Sequence, residues 1–172
     1  EDVLSVELKE GRPQVLLDLG TGPLFLEVSE VPSLADGLWH RLDLFWGYQR
    51  AEVVVDMCQR EMESGAVNGA GGRDCRSGVP LSPEDGGLNV GAPLQIGGLA
   101  HLPPRYQDRG WPQAITTASF QGCIRNLRVN GELRDLGEGV LSEDSIPGCI
   151  SLDQCQESGK ACPPHARSVS YL

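Results

Sequence analysis

The run FQGCIRNLRVNGELRD at residues 120–135 constrains the fold of this chain more than any other segment. Its first half alternates apolar and polar residues, as a half-buried strand does, and Cys123 lies within that predicted strand. Asn130-Gly131 follows as the strongest short hairpin signal that a sequence can give. A second cysteine, Cys149, comes after a Pro-Gly turn. The run therefore predicts a late β-hairpin in a disulfide-linked, all-β module.

Short alternations of apolar and polar residues recur at even spacing before this run. They predict strands over residues 3–8, 14–19, 24–28, 39–46, 51–57 and 94–96. Residues 58–93 lose this periodicity and are rich in Gly, Asp, Ser and Pro, as long surface loops are. No amphipathic helix longer than about two turns is indicated. A meander of this kind is typical of an antiparallel β-sandwich or jelly roll.

The cysteine content and the charge balance limit the compartment and the partners. Six cysteines, with no CxxC pair and no Cys/His cluster at zinc-ligand spacing, favour disulfides and therefore an extracellular location. Lys and Arg total 14 against 24 Asp and Glu, so the formal net charge is -10. Because a polyanion would meet net repulsion, we expect no nucleic-acid partner and disfavour heparin. No apolar run approaches the roughly 20 residues of a membrane-spanning helix.

The sequence contains no recognisable catalytic motif. His40, His101 and His165 lie far apart, without an acid and a nucleophile at motif spacing, and phosphate-binding glycine loops are absent. Trp39 and His40 are interpreted as a core residue and a strand residue. We therefore expect a protein that is not an enzyme. A lectin-fold glycosidase is an alternative of another class, but it would need two carboxylates about 5–9 Å apart in one groove, and no strand carries such a pair.

Several segments resemble the laminin G-like domain family in the same order along the chain. LSVELKEGRPQVLLD with the following LGTG, then GLWHRL, LNVGAPLQIGG and FQGCIRNLRVNG, look like its successive strands. The resemblance implies an antiparallel two-sheet jelly roll over residues 1–150, with residues 151–172 as a linker or the start of a following EGF-like module. The family's first strand pair has no counterpart here. The resemblance thus implies an N-terminally truncated domain of poor independent stability.

Within that family the sequence is most similar to the laminin G modules of neural-type, non-classical cadherins. The matching segments are GCIRNL, DLG at residues 135–137, and a Gly-Cys pair followed soon by Cys155. This resemblance implies an extracellular interaction module of a calcium-dependent, membrane-anchored adhesion receptor of cadherin type, located in its ectodomain. Its partner would be a protein, either a second copy or another cell-surface protein. A laminin-, agrin- or neurexin-like matrix or synaptic binding module is the alternative.

The resemblance also implies a weak calcium site. In calcium-binding members one carboxylate and two backbone carbonyls hold the ion. Carried over to this sequence, they fall on the carboxylate of Asp2 and on the carbonyls of Leu19 and Leu88. Oxygen donors of this kind suit a hard cation. In the alternative interpretation Asp2 is a solvated chain-end residue, and Glu84 and Asp85 are ordinary loop acids.

The six cysteines allow fifteen pairings from the sequence alone. The resemblance implies that Cys123 pairs with Cys149. A bridge between Cys58 and Cys75 would close the long loop at its base, and would contribute about 2–4 kcal/mol by chain entropy. The remaining two then pair with each other or open a following EGF-like module: Cys155 and Cys162.

Overall fold

The structure, a computed structural model, describes residues 2–47, 49–58, 75–85, 87–101, 103, 105–139, 141–143 and 145. The chain divides into two compact units, of which the first contains residues 1–94 and 103–116 and the second residues 95–102 and 117–172. Regular structure in the described residues consists of β-strands and short 3-10 turns, without an α-helix. Every strand pair is antiparallel. The predicted all-β, antiparallel class is confirmed.

The first unit begins with a three-stranded sheet in the order β1 (Val3–Lys9), β2 (Arg12–Asp18) and β3 (Pro23–Glu27). Its register places Leu4 opposite Leu17 and Val6 opposite Val15, so these four apolar residues share one face. Leu17 and Val15 are fully buried. The alternation in the sequence therefore determines which face of this sheet points to the core.

A second three-stranded sheet in the same unit has the order β4 (Leu42–Trp46), β5 (Arg50–Val55) and β6 (Arg76–Pro80). The central strand β5 buries Ala51, Val53 and Val55 on one face. It ends at Val55 and not at the predicted residue 57, because the next three residues all have a positive φ and form a 3-10 turn (Asp56–Cys58).

The buried faces of the two sheets form one hydrophobic cluster. The first sheet contributes Val15, Leu17 and Leu26, and the second contributes Val53 and Val55. Because two antiparallel sheets share a single core, the first unit is a β-sandwich, as predicted for a laminin G-like jelly roll.

Three sequence predictions in the first unit are wrong in detail. Trp39 is not a core residue, since 49% of it is exposed, and β4 begins only at Leu42. Residues 58–93, predicted to be a loop, contain β6. The sequence does not indicate this strand, because RSGVP lacks alternation and contains three turn-forming residues. The strand forms by pairing with β5, and its Val79 packs against the core.

The second unit, considered by itself, contains a hairpin of two-residue strands, β7 (Arg128–Val129) and β8 (Glu132–Leu133). Asn130 and Gly131 have φ angles of 53° and 80°, as a type I′ turn requires, so the predicted turn is confirmed. No described residue of this unit is buried. Residues 120–124, including Cys123, are not in a strand, and the segment predicted for residues 94–96 is not a strand either. The Asn-Gly signal is correct for the turn, but the alternation overestimates the length of the strands.

Candidate functional site

Asp2 lies immediately before β1 and is attached to the loop that contains Asn89. The backbone N–H of Asp2 donates to the carbonyl of Asn89 at 3.4 Å. In return, the backbone N–H of Asn89 donates to Oδ2 of Asp2 at 2.7 Å. Asp2 is half-buried. These two contacts hold its carboxylate at one rim of the first unit, next to the residue that follows Leu88.

The turn after β2 brings the LGTG segment to the same rim. Gly20 has a φ of 93°, a conformation that other residues rarely adopt. Oδ1 of Asp2 lies 3.9 Å from the position that a Cβ on Gly20 would occupy. The carboxylate of Asp2 therefore borders the peptide that joins Leu19 to Gly20, which carries one of the two predicted carbonyl donors.

The side chains of the two predicted carbonyl donors anchor their backbone. Leu19 is 8% exposed and belongs to the hydrophobic core, and Leu88 packs against that core. Asp2 contacts the residue after Leu88 and borders the residue after Leu19. The structure thus brings the three sequence-predicted residues to one rim of the sandwich.

Two further acidic residues lie near this turn, and neither was assigned a role from the sequence. Asp85 accepts hydrogen bonds from the hydroxyl of Thr21 and, at 2.5 Å, from the backbone N–H of Ser82. It therefore ties the loop at residues 82–85 to the LGTG turn and is more than an ordinary solvated acid.

Asp18, at the end of β2, is the second. It is only 4% exposed. Its Oδ1 accepts the backbone N–H of Gly20 at 3.0 Å, and its Oδ2 accepts the indole N–H of Trp111 at 2.8 Å. Burial by itself raises the pKa of Asp18, but the hydrogen bonds from Trp111 and Gly20, with the charge of Arg109, outweigh it and lower the pKa below its usual value. Both oxygens of this carboxylate are engaged by the protein.

The donor set at the rim fits a hard, oxygen-binding cation. Among the described residues, no group of three or more His, Cys, Asp or Glu side chains could hold a metal ion. The predicted site would combine the carboxylate of Asp2 with the backbone carbonyls of Leu19 and Leu88. Calcium accepts such mixed oxygen ligands, and a single carboxylate gives weak binding. Bound calcium would supply positive charge and would link the segment of Asp2 to the two rim loops that contain Leu19 and Leu88.

A second polar cluster lies around His40, whose side chain is 5% exposed. Its Nδ1 lies 2.8 Å from Oδ2 of Asp56, and its Nε2 lies 2.9 Å from Oδ1 of Asp36. Burial lowers the pKa of His40, but the hydrogen bonds and charges of Asp56 and Asp36 outweigh it, so the pKa is raised. This cluster, here called the His40 clasp, joins the loop before β4 to the turn after β5. It contains no nucleophile and was not predicted.

A disulfide joins Cys58 to Cys75, the same pair that the loop length suggests. Both cysteines are buried in the core of the first unit. Cys123 is disulfide-bonded as well. Its predicted partner and the other two cysteines lie outside the described residues: Cys149, Cys155 and Cys162.

The family comparison gives a match over most of the chain. The model described as Laminin G domain matches residues 1–132. That range includes both three-stranded sheets and the start of the β7–β8 hairpin. No solved structure matches the chain.

Curated relatives include cell-surface proteins of animals. The chain is 36% identical to Neural-cadherin of Drosophila melanogaster, over 99% of this chain and 6% of the relative. It is 35% identical to Cadherin-related hmr-1 of Caenorhabditis elegans, over 86% of this chain and 5% of the relative. Neurexin 1 of Drosophila melanogaster is 31% identical, over 93% of this chain and 8% of the relative. The chain thus spans less than a tenth of the length of these relatives.

No helical segment in the described part of the chain has the length and the hydrophobicity that crossing a bilayer requires.

Proposed function

The chain belongs to the laminin G domain family, whose members in cadherins and neurexins are extracellular interaction modules, and from this premise we propose that it serves a calcium-dependent adhesion receptor of cadherin type. In this proposal the module lies in the ectodomain of a membrane-anchored protein. It binds a protein partner through its rim, and calcium orders that rim.

The observation that carries the proposal is the position of the Asp2 carboxylate. It accepts the N–H of Asn89, the residue after Leu88, and lies beside Gly20, the residue after Leu19. Three chain segments far apart in sequence meet there, so a divalent cation would link them. The extent of the similarity to Neural-cadherin, 36% identity over 99% of the chain, favours the cadherin type.

Calorimetric titration with calcium tests the metal part of this proposal. We expect one weak site with a dissociation constant of roughly 10⁻⁴ to 10⁻³ M, the range of extracellular modules. Asp2→Asn keeps an oxygen that can accept the N–H of Asn89 but removes the charge, so binding heat should disappear. Asp43→Asn is the matched control, because Asp43 lies on β4 and is paired with Arg41. Equal heats from the wild type and Asp2→Asn would remove Asp2 from the site.

Bead aggregation tests the adhesion part. Beads coated with the chain should aggregate in millimolar calcium and disperse in chelator if the partner is a second copy. If they stay dispersed, binding of the same beads to cultured cells should appear with calcium and vanish with Asp2→Asn. Cell binding that is unchanged by both calcium removal and Asp2→Asn would contradict a calcium-dependent rim.

A laminin-, agrin- or neurexin-like matrix or synaptic module is the second candidate, and the 31% identity to Neurexin 1 favours it. If this module bound an anionic glycan such as heparin, the net charge of -10 on the chain would repel the ligand, so a protein ligand is favoured. Retention on a heparin column at physiological salt would revive the glycan ligand. The laminin G family match and the similarity to cadherins and a neurexin support a binding module and give no support to a glycosidase.

A further inference from the structure

One segment of the first unit crosses the outer face of its first sheet. Residues 109–116, here called the strap, place Gln113 within hydrogen-bond distance of both Lys9 on β1 and Gln14 on β2, at 2.9 and 2.8 Å. The backbone N–H of Thr116 also donates to the carboxylate of Glu7 at 3.3 Å. The strap is therefore attached to both strands that lead from Asp2 to the LGTG turn.

The strap reaches the rim through Trp111, which is 3% exposed. Its indole N–H donates to Oδ2 of Asp18 in a buried hydrogen bond of 2.8 Å. Arg109 lies 3.5 Å from the same oxygen, and its guanidinium lies over the ring of Trp111, 5.6 Å from the ring centroid. The Asp18 carboxylate, the Arg109 guanidinium and the Trp111 indole hold one another in place. Arg109 and Trp111 thereby set the orientation of the Asp18 carboxylate.

The other oxygen of Asp18 accepts the N–H of Gly20 at 3.0 Å. That N–H and the carbonyl of Leu19 belong to the same peptide unit. A trans peptide is planar, and its N–H and C=O point in opposite directions. Holding the N–H of Gly20 toward Asp18 therefore turns the Leu19 carbonyl oxygen away from Asp18, and the flexible glycine cannot rotate this peptide freely.

We propose that Asp18 is a positioning residue for the rim and that Trp111 and Arg109 keep it in that role: together they orient the Leu19 carbonyl toward a bound divalent cation. The inference rests on the calcium site of the proposed function. In this proposal Asp18 acts indirectly, since it is 4% exposed and its two oxygens accept the N–H groups of Gly20 and Trp111. Its charge acts through the peptide, since an anion at the N–H end polarises the bond and increases the negative charge on the Leu19 oxygen.

The test compares calcium binding by three variants of the full chain, measured by calorimetry. Asp18→Asn should weaken binding roughly 10-fold, and Trp111→Phe, which keeps the aromatic ring but removes the N–H donor, should weaken it about 3-fold. Trp39→Phe is the matched control, because Trp39 is half exposed and should leave the affinity unchanged. If Asp18→Asn fails to fold, Trp111→Phe alone decides.

A second readout needs no calcium. Hydrogen exchange of the Gly20 amide should accelerate in Trp111→Phe relative to Trp39→Phe, because the acceptor carboxylate is no longer held. Calcium binding by the wild type that is unchanged in Trp111→Phe overturns the positioning role and leaves the calcium site intact. No calcium binding by the wild type overturns both. Faster exchange with unchanged affinity shows that Asp18 orders the turn without serving the cation, and also overturns the proposal.

Discussion

The β1–β2 hairpin and the β7–β8 hairpin reverse the chain in the same way but support ladders of very different length. Glu10 and Gly11 have φ angles of 53° and 77°, and Asn130 and Gly131 have 53° and 80°. Yet the first turn joins seven-residue strands and the second joins two-residue strands. The turn conformation therefore does not decide how far a ladder extends.

Burial accounts for the difference. The first hairpin places Val15 and Leu17 in a core to which a second sheet also contributes. In the second hairpin Leu133 is 58% exposed. Turn chemistry sets the register locally, whereas apolar contacts from distant residues stabilise the strands that follow. Tryptophan fluorescence can follow the first unit alone, because all three tryptophans lie in it: Trp39, Trp46 and Trp111.

The largest expected effect comes from truncating a core leucine in the first hairpin. Leu17→Ala leaves a cavity at a fully buried position and should lower the free energy of unfolding by about 3–5 kcal/mol. Leu133→Ala in the second hairpin should change it by no more than about 0.5 kcal/mol, since that side chain is exposed. Urea unfolding followed by tryptophan fluorescence measures the first, and amide exchange of Arg134 measures the second. Similar effects at both positions would break the comparison.

Removing the disulfide of the first unit should have the next largest effect. The double variant Cys58→Ala, Cys75→Ala opens a bridge that spans 17 residues of sequence. Chain entropy then predicts a loss of about 3 kcal/mol in the free energy of unfolding. Urea unfolding of this variant is compared with that of the wild type under a reducing agent, and the two midpoints should coincide. An unchanged midpoint in the variant would show that the core alone holds β5 and β6 together.

The two turn glycines offer the closest matched pair. A Cβ on Gly11 would overlap the side chain of Ser33, whereas one on Gly131 meets nothing within 4 Å. Both substitutions to Ala strain a positive φ, so Gly131→Ala should cost about 1 kcal/mol and Gly11→Ala about 2–3 kcal/mol. Exchange of the Arg134 amide, which donates to Leu127, reports the first, and fluorescence reports the second. A larger loss of unfolding free energy in Gly131→Ala than in Gly11→Ala would contradict the idea that packing makes the first turn less tolerant.

The smallest effect is the pH dependence contributed by the His40 clasp. The pKa of His40 is raised in the folded state, so its stabilisation is complete below the ordinary value of 6.5 and is lost as pH rises through the raised pKa. His40→Gln should remove this slope and cost on the order of 1 kcal/mol at pH 6. The difference between wild type and variant, measured by urea unfolding from pH 6 to pH 9, should shrink with rising pH. A growing difference would contradict a protonated clasp.

The fold could be predicted wherever alternation and burial agree. Leu4, Leu17 and Val53 lie on apolar faces that the sequence shows directly. β6 could not be predicted, because Gly78 and Pro80 read as loop residues and the strand depends on its partner β5. Trp39, interpreted as a core residue, is 49% exposed and precedes β4, so no strand directs its side chain to the core.

The candidate site was only partly predictable for a similar reason. Asp2, Leu19 and Leu88 could be placed by resemblance, and the structure brings them to one rim. The roles of Asp18 and Trp111 could not be inferred, since 93 residues separate them and no short motif links them. The one available signal was the position of an acidic residue at the end of an apolar strand, where alternation points it away from the core.

Two of the three proposed donors at the rim are main-chain oxygens, and this limits what a mutational scan can detect. Replacing Leu19 or Leu88 by another apolar residue keeps the carbonyl, so a library would record tolerance at both positions. Sensitivity would instead appear at Asp2, Asp18 and Gly20, which hold or shape that backbone. A map of intolerant positions would thus identify Asp2 and the residues that support the backbone, but not the two carbonyl ligands.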